Sequence, residues 1–162
     1  MKIEACDPDS ADATALLGEL SAALASITGS SGQASFSADD ARVARSLFVV
    51  ARGDGGELLG CGALRPLDGD VAEIKRMYAR PGTRAGQVLL EHLERAAATF
   101  GYRETWLETR RMNLRAVAFY RKHGYAEIAN YGKYVGHPDA ICLGKPLAAT
   151  HVALAQAGAH SA

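Results

Sequence analysis

Two polar residues, Asn113 and Tyr120, lie seven positions apart in a segment with an apolar stripe and a glycine at its end. A phenol has a pKa near ~10, so Tyr120 is protonated at neutral pH and could donate its proton to a developing thiolate. A structural interpretation stays open beside this one, because the hydroxyl of a core tyrosine commonly binds a backbone group.

Glu73 begins a half-apolar strand segment. Burial there would make its carboxylate a stronger base, able to take a proton from an ammonium substrate. The alternative is an exposed strand residue that faces Lys75. Glu108 is a second acid in a short strand segment. If the two carboxylates approach each other, one of them should hold its proton more tightly.

Residues 81–86 stand between a strand segment and a helical segment. A helix N-terminus carries unpaired amide N–H groups and a partial positive charge, and a glycine lets a phosphate approach the backbone. Arg84 could pair with a phosphate oxygen. The pattern indicates an anion site. The alternative is a plain connection in which Gly86 only eases entry into the helix.

The elements that must position these residues follow a mixed order. A short strand is predicted at 2–6, then a helix that Asp9 caps, that begins at Ser10 and that ends at Gly29. Glycine-rich turns next separate three antiparallel strands. Their predicted ranges are 47–51, 58–64 and 73–79.

A helical stripe from Leu89 to Phe100 follows, then a short strand at 105–109. The next helix is predicted to start at its cap Asn113 and to stop at Gly124. Residues 128–147 should add a final hairpin. This order predicts a mostly antiparallel sheet with one parallel neighbour, made by the crossover helix.

Length and composition are those of one globular domain, predicted at residues 1–147, with an alanine-rich tail at 148–162 that has no assigned role. The formal net charge is zero, with 18 basic and 18 acidic residues. A neutral balance argues against nucleic acid or an anionic membrane as the main partner, because both reward a basic surface.

The cysteines are widely spaced, so neither a disulfide framework nor a zinc site is expected. The histidines are scattered as well, and we predict no metal. Acids interrupt the N-terminal segment, which is therefore no signal peptide, and no apolar run approaches the ~20 residues that span a bilayer. We expect a cytoplasmic protein with reduced thiols.

Together these segments resemble the GNAT superfamily of N-acetyltransferases, over about residues 47–147. Asn113–Tyr125 matches the family pattern N-x-x-A-x-x-[aliphatic or aromatic]-Y-x-x-x-G-[FY]. Residues 72–81 resemble the family's fourth strand, 84–90 its pyrophosphate loop and helix start, and 107–109 its fifth strand. The resemblance implies an acyl-CoA N-acyltransferase fold, an α/β protein whose mostly antiparallel central sheet is flanked by helices.

The resemblance also implies a reaction. An acetyl group would pass from acetyl-CoA to the primary amine of a small molecule or peptide by direct attack in a ternary complex, and proximity should supply much of the rate. Tyr120 would protonate the departing thiolate, and Glu73 would be the general base, directly or through water. The implied acetyl-CoA contacts are Met77, Tyr78, Ala79, Arg84, Ala85, Gly86, Gln87, Val88, Asn113 and Tyr120.

The loop departs from the family, which usually reads R-G-x-G-x-[GA]-x-x-L-L. The segment that starts at Arg84 is three residues short of this pattern. Aligned on Arg84, it lacks a G-x-G. Aligned on the helix, Gly82 and Gly86 take two glycine positions and the arginine is displaced. The helical stripe favours the second alignment, and acetyl-CoA binding is predicted to be measurable but weak.

The short loop leaves a second function open, a GNAT-like acyl-CoA-binding or regulatory module with little or no turnover. Tyr120 and Glu73 discriminate between the two functions, because a binding module needs neither. Tyr131, Tyr134 and Asp139 follow the Tyr120 helix and could line an acceptor pocket. Pairing of the final strand between two copies would give a homodimer.

Overall fold

In the computed structural model, which describes residues 1–148, seven strands form one sheet with helices on both faces. The strands are β1 (Lys2–Ala5), β2 (Leu47–Arg52), β3 (Leu58–Pro66), β4 (Val71–Ala79), β5 (Glu104–Arg110), β6 (Ala126–Ile128) and β7 (Ala140–Pro146). The helices are α1 (Ala11–Thr28), α2 (Ala85–Thr99) and α3 (Leu114–Lys122). Short 3₁₀ turns lie at Gln33–Ser35, Ala38–Ala41 and Gly132–Tyr134.

The spatial order of the strands is β1-β2-β3-β4-β5-β7-β6, and β4–β5 is the one parallel pair among the strands of residues 1–148. A parallel neighbour needs a crossover, which α2 supplies between β4 and β5. The mixed, mostly antiparallel α/β sheet predicted from the sequence is confirmed.

The first helix starts one residue later than predicted. Ser10, not Asp9, is its N-cap, and the Ser10 side chain accepts a hydrogen bond from the Ala13 amide. The Asp9 amide instead donates to the Asp7 carboxylate in a local turn. At the other end, Gly29 takes a φ of 80° and closes the helix as predicted.

The sheet separates two apolar clusters. The larger one lies under α2, where Leu89 and Leu93 pack with Leu64, Leu107 and Leu143 of the sheet. The smaller one lies under α1 and forms around Leu16, Phe48 and Val50. Alternate strand residues therefore face different helices, which fixes the side of the sheet on which each site residue emerges.

The last strand of the described chain does not lie at the sheet edge. β7 pairs with β5 over seven residues and with β6 on its other side, so β1 and β6 are the edges. The dimer route through the final strand is therefore wrong, because both sides of that strand are engaged, while a homodimer itself stays a prediction. The tail predicted at residues 148–162 lies outside the described residues from residue 149 onward. No helix within residues 1–148 is long and apolar enough to cross a membrane.

Candidate active site

β4 and β5 separate shortly after they begin to pair. Their parallel register ends at Glu73 and Trp106, and from Ile74 onward β4 has no strand partner on that side among residues 1–148. The opening holds a cavity of about 240 Å³, which we call the splay cavity. Its walls include Ile74–Met77 of β4, Leu107–Arg110 of β5 and residues of α1 and α3. Unpaired strand edges here can bind an extended ligand through main-chain hydrogen bonds.

A bulge marks the β4 side of this opening. The β3–β4 register shifts between Cys61 and Ala63, and Arg76 opposite adopts a φ of 53°. Left-handed backbone is costly for a residue with a Cβ and is concentrated at functional sites. The bulge turns the strand so that four consecutive residues, 74–77, line the splay cavity.

Helix α3 brings Asn113 and Tyr120 to the cavity. Asn113 is the N-cap, and its Oδ1 accepts a hydrogen bond from the Ala116 amide at 3.3 Å. Tyr120 lies about two helical turns further on, and its ring is buried against Phe119 and Tyr125. None of the side-chain hydrogen bonds within residues 1–148 involves the Tyr120 hydroxyl, and no buried side-chain polar atom there lacks a partner, so this hydroxyl is open to the cavity that Tyr120 lines. Burial raises the pKa of this phenol, so it remains a proton donor.

The N-terminus of α2 follows a tight turn at the end of β4. Gly82 takes a φ of 79° in that turn, and Arg84 caps the helix without a side-chain hydrogen bond. The Ala85 amide reaches Thr83 Oγ1 at 3.4 Å, while within residues 1–148 the amides of Gly86 and Gln87 have no acceptor. The turn therefore presents two free N–H groups at the positive end of a helix, as an anion site requires.

Gly86 has a packing role that neither sequence interpretation included. A Cβ built on it would lie 3.4 Å from the Phe119 ring and 3.6 Å from the Ala79 Cβ. The missing side chain thus lets α2 sit close to α3 and to the end of β4. A Cβ at position 86 would point into the protein and away from a ligand at the helix N-terminus.

Glu73 is buried, at 1% relative exposure, so the interpretation as an exposed residue is wrong. Its carboxylate pairs with Arg65 at 2.8 Å and accepts a hydrogen bond from the Tyr131 hydroxyl. Arg65 also pairs with Asp40 at 2.8 Å. These groups line a second space of about 440 Å³, the side pocket, which shares Ala34, Ser35, Lys133 and Tyr134 with the splay cavity.

Glu108 is the acid that lines the splay cavity itself. Burial raises the pKa of its carboxyl, and Arg110 and Lys75 partly offset this effect. Glu73 contributes to the rise, as the sequence suggested for two nearby acids, although burial is the larger cause. Across the cavity the Lys75 ammonium donates to the Tyr134 hydroxyl at 3.0 Å.

Two of the three residues predicted to line an acceptor pocket border the side pocket, and their role there stays a prediction. Tyr131 and Tyr134 do line the side pocket. Asp139 does not, because it is exposed and lies 3.4 Å from Arg110. Arg65 and Arg76 were missed, and the signal that could have found them is weak. Arg65 is the one charged residue of β3, and Arg76 follows Lys75 in a strand that also contains Glu73. In the described part of the chain no three His, Cys, Asp or Glu side chains are placed to hold a metal.

A sequence profile of the acetyltransferase (GNAT) family matches residues 19–125, more than half of the chain. The chain belongs to the GNAT acetyltransferase family. It is an acyltransferase, and its general chemistry is acetyl transfer. The match contains the splay cavity strands, the α2 N-terminus and all of α3, which are the elements described above.

Individual GNAT proteins agree with this assignment. An IAA acetyltransferase of Azospirillum brasilense is 38% identical over 104 residues, which cover 62% of this chain and 67% of that protein. A Klebsiella pneumoniae protein assigned as an acyl-CoA N-acyltransferase is 26% identical, with a TM-score of 0.76 over 91% of this chain and 97% of its own.

A GNAT family acetyltransferase from Elizabethkingia anophelis with acetyl-CoA bound shares the fold at 17% identity. Its TM-score is 0.65, over 90% of this chain and 97% of that chain.

Proposed function

We propose that this GNAT enzyme transfers the acetyl group of acetyl-CoA to the primary amine of a small molecule or peptide, by direct attack in a ternary complex. One observation carries the proposal: the unpaired edge of β4 and Tyr120 border one opening between β4 and β5, and the free amides at the start of α2 lie beside the end of β4. A thioester with a long polar arm and a phosphate end needs those three features.

The residues present fit acetyl-CoA. The backbone of Met77, Tyr78 and Ala79 lies where β4 has no partner on the β5 side, so it can pair with the pantetheine arm. The first turn of α2, from Arg84 to Val88, offers the free N–H groups of Gly86 and Gln87 to the pyrophosphate. The Asn113 amide group can donate toward the same arm, since only its Oδ1 is used in capping. The turn is short, which supports weak rather than tight binding.

The chemistry needs two proton transfers besides the attack. The amine nitrogen bonds to the thioester carbon, the C–S bond breaks, and Tyr120 donates its proton to the sulfur. The proton released by the attacking nitrogen goes to a carboxylate or to water. Glu108 is the better placed acid, because it lines the splay cavity whereas Glu73 is held by Arg65. Glu73 stays a candidate base through Tyr131, whose hydroxyl it binds.

The setting of the reaction is also a proposal. Acetyl-CoA chemistry with three free cysteines, Cys6, Cys61 and Cys142, fits a reducing compartment, for which we propose the cytoplasm.

Thermal unfolding with and without acetyl-CoA tests the proposal. A ligand at 100-fold over its dissociation constant stabilises the fold by about 2.7 kcal/mol, which is roughly 5–10 °C for a domain of this size. We expect such a shift with acetyl-CoA and with CoA, and thiol release when an amine panel is added. No shift at millimolar acetyl-CoA would overturn the proposal. A shift without thiol release from any acceptor would favour the binding-module function.

A further inference from the structure

The charges that line the splay cavity are unbalanced. Four cations border it, against the single acid Glu108. Arg110 is neutralised, since it lies 3.4 Å from Asp139 and 3.8 Å from Glu108. The other three cations have no carboxylate within 4.0 Å among residues 1–148. They are Lys75, Arg76 and Lys133.

Lys75 is the most buried of these cations, at 9% relative exposure. Its ammonium has three donors, and the hydrogen bonds of residues 1–148 give it one partner, the neutral Tyr134 hydroxyl. Burial lowers the pKa of Lys75, with Glu73 acting in the opposite sense. A buried ammonium without a counter-ion is costly, so an anion entering the cavity would be bound strongly.

Arg76 approaches the same space from the bulge. Its guanidinium donates to the Ser31 carbonyl at 3.1 Å and to Ser21 Oγ at 2.7 Å, both neutral groups. A Cβ on Gly32 would lie 3.1 Å from Arg76 Nη1, so glycine at this position leaves room for the guanidinium. Two of its five N–H donors are thereby engaged in fixing the head group, and the others are available to a ligand.

The anion that these cations fit does not come from the coenzyme. Its phosphates would lie at the first turn of α2, and no residue from 80 to 88 lines the splay cavity. The pantetheine arm is uncharged. The second substrate is therefore the source of the anion.

We infer that the acceptor is an amino-carboxylate, a molecule with a carboxylate close to its amine, and that Arg76 and Lys75 bind the carboxylate. This inference rests on the proposed acetyl transfer. Arg76 offers a planar pair of donors and Lys75 a point charge, which is a common way to hold a carboxylate. Polyamines are disfavoured, because like charges repel in a cavity of low dielectric constant.

The same charges assist the reaction. A neighbouring cation disfavours a protonated amine, so the acceptor nitrogen would lose its proton more readily and become nucleophilic. The side pocket has room for the rest of the acceptor. It contains Phe36, Leu67 and Tyr131, and its Arg65 is already paired, so an apolar or aromatic side chain fits there.

Matched acceptor pairs test the inference. Thiol release at saturating acetyl-CoA is measured for the twenty amino acids and for the amines that their decarboxylation gives, such as phenylalanine with phenethylamine and lysine with cadaverine. We expect at least one amino acid to exceed its amine by about tenfold or more in kcat/KM. Arg76→Gln and Lys75→Met should each lower that ratio by about tenfold. Arg103→Gln is the control, because this exposed arginine directly precedes β5, at the end of the strand away from the cavity, and should leave the ratio unchanged.

The ratio of kcat/KM for an amino acid to kcat/KM for its amine separates carboxylate recognition from folding. A purely structural role for Arg76 would lower both kcat/KM values together and leave the ratio unchanged. Amines used as well as their amino acids, or variants that leave the ratio unchanged, would overturn the inference while acetyl transfer stands. Acetyl-CoA binding with no amino acid acetylated would also overturn it. Absence of both acetyl-CoA binding and thiol release would remove the proposed function and this inference together.

Discussion

The Arg65 guanidinium of β3 lies 2.8 Å from the carboxylate of Glu73, and Glu73 with Trp106 forms the last residue pair before β4 and β5 separate. Both residues line the side pocket, where the Tyr131 hydroxyl donates a further hydrogen bond to Glu73. This arrangement gives Glu73 a structural role that competes with a role as base. The two carboxylates of the site, Glu73 and Glu108, can therefore be told apart by what their loss changes.

Glu73→Gln should lower stability more than turnover. The change removes the charge that faces Arg65, but Arg65 keeps Asp40 at 2.8 Å, so we expect a loss of about 1–3 kcal/mol in the free energy of unfolding. Urea unfolding measures this loss. A variant as stable as the wild type that has lost nearly all turnover would show that Glu73 is the base after all.

Glu108→Gln should have the opposite effect. Removal of a general base typically costs ~10²-fold or more in kcat. Because burial raises the pKa of Glu108, wild-type kcat/KM should rise with pH through that raised pKa, which lies above the usual value of 4.5, as the carboxyl loses its proton. The variant should lack this rise. A pH profile with an unchanged acidic limb would exclude Glu108 as the titrating base.

The stability of the folded chain should also report on Glu108. A carboxyl whose folded pKa is raised stabilises the protein below its unfolded pKa, and this contribution is lost as pH rises through the folded pKa. The melting temperature of Glu108→Gln minus that of the wild type should therefore increase as pH rises from 4 to 7. The wild type serves as the reference at every pH.

Tyr120→Phe should lower kcat and leave the affinity for acetyl-CoA nearly unchanged. The hydroxyl has no protein partner within residues 1–148, so its removal leaves no unpaired group in the core. Loss of a general acid costs about 10²–10⁴-fold in rate. Steady-state kinetics and calorimetric titration with acetyl-CoA separate the two quantities.

Tyr102→Phe is a matched control for that experiment. Tyr102 is fully buried, but its hydroxyl donates to the Arg45 carbonyl at 2.8 Å, away from the cavity. This change should lower stability by about 1 kcal/mol and leave kcat intact. Intact turnover in Tyr120→Phe would mean that water protonates the leaving sulfur.

The sequence predicts local structure here better than it predicts pairing. The Asn113 cap and the Gly29 stop were identified because each depends on one residue's own geometry. The position of β7 between β5 and β6 was not, since it depends on contacts between segments far apart in the chain. The prediction of a final hairpin does not say which of its two strands pairs with β5.

The candidate site shows the same contrast between features that depend on local sequence and features that depend on strand pairing. Tyr120 was identified through a motif in which local spacing carries the information. Lys75 and Arg76 are adjacent, and strict alternation would place them on opposite faces of β4. A bulge at Arg76 brings both side chains to the splay cavity, and the residue types of the strand do not predict this bulge. The Arg65–Glu73 pair was missed for a similar reason, because it needs the β3–β4 register.

A buried network joins α2 to the sheet, and removing one of its charged partners should destabilise the protein. Glu94, at 5% relative exposure, accepts hydrogen bonds from Lys145 at 3.0 Å and from the Tyr125 hydroxyl at 2.9 Å. Lys145→Met would leave a buried carboxylate without its counter-ion, which costs about 3 kcal/mol. Chemical denaturation measures the change.

Lys2→Met is the control for the network. Lys2 forms a pair of 3.7 Å with Glu4, and its side chain is 77% exposed, so water screens the pair and stability should change little. Similar losses in the two variants would contradict the importance given to burial. The double variant Lys145→Met with Glu94→Leu should recover much of the loss, since the unpaired charge is then gone.

The first turn of α2 offers a test in which stability and ligand affinity should change in opposite directions. Arg84 is a poor N-cap with no capping hydrogen bond, and the amides of Gly86 and Gln87 are free within residues 1–148. Arg84→Asp would supply a capping carboxylate and a favourable charge at the helix N-terminus, worth about 0.5–1 kcal/mol of added stability. That carboxylate would occupy the N–H groups proposed for the pyrophosphate and would repel it.

We therefore expect Arg84→Asp to melt at a higher temperature without ligand and to bind acetyl-CoA about tenfold more weakly or worse, as calorimetric titration would show. Arg95→Glu makes the same change in net charge near the other end of α2 and should leave the dissociation constant within about twofold, because a charge there is screened from the phosphates. If Arg84→Asp binds acetyl-CoA as tightly as the wild type, the pyrophosphate lies elsewhere. The shortened turn would then be a plain strand-to-helix connection, and the unpaired edge of β4 would have to hold the coenzyme by its pantetheine arm alone.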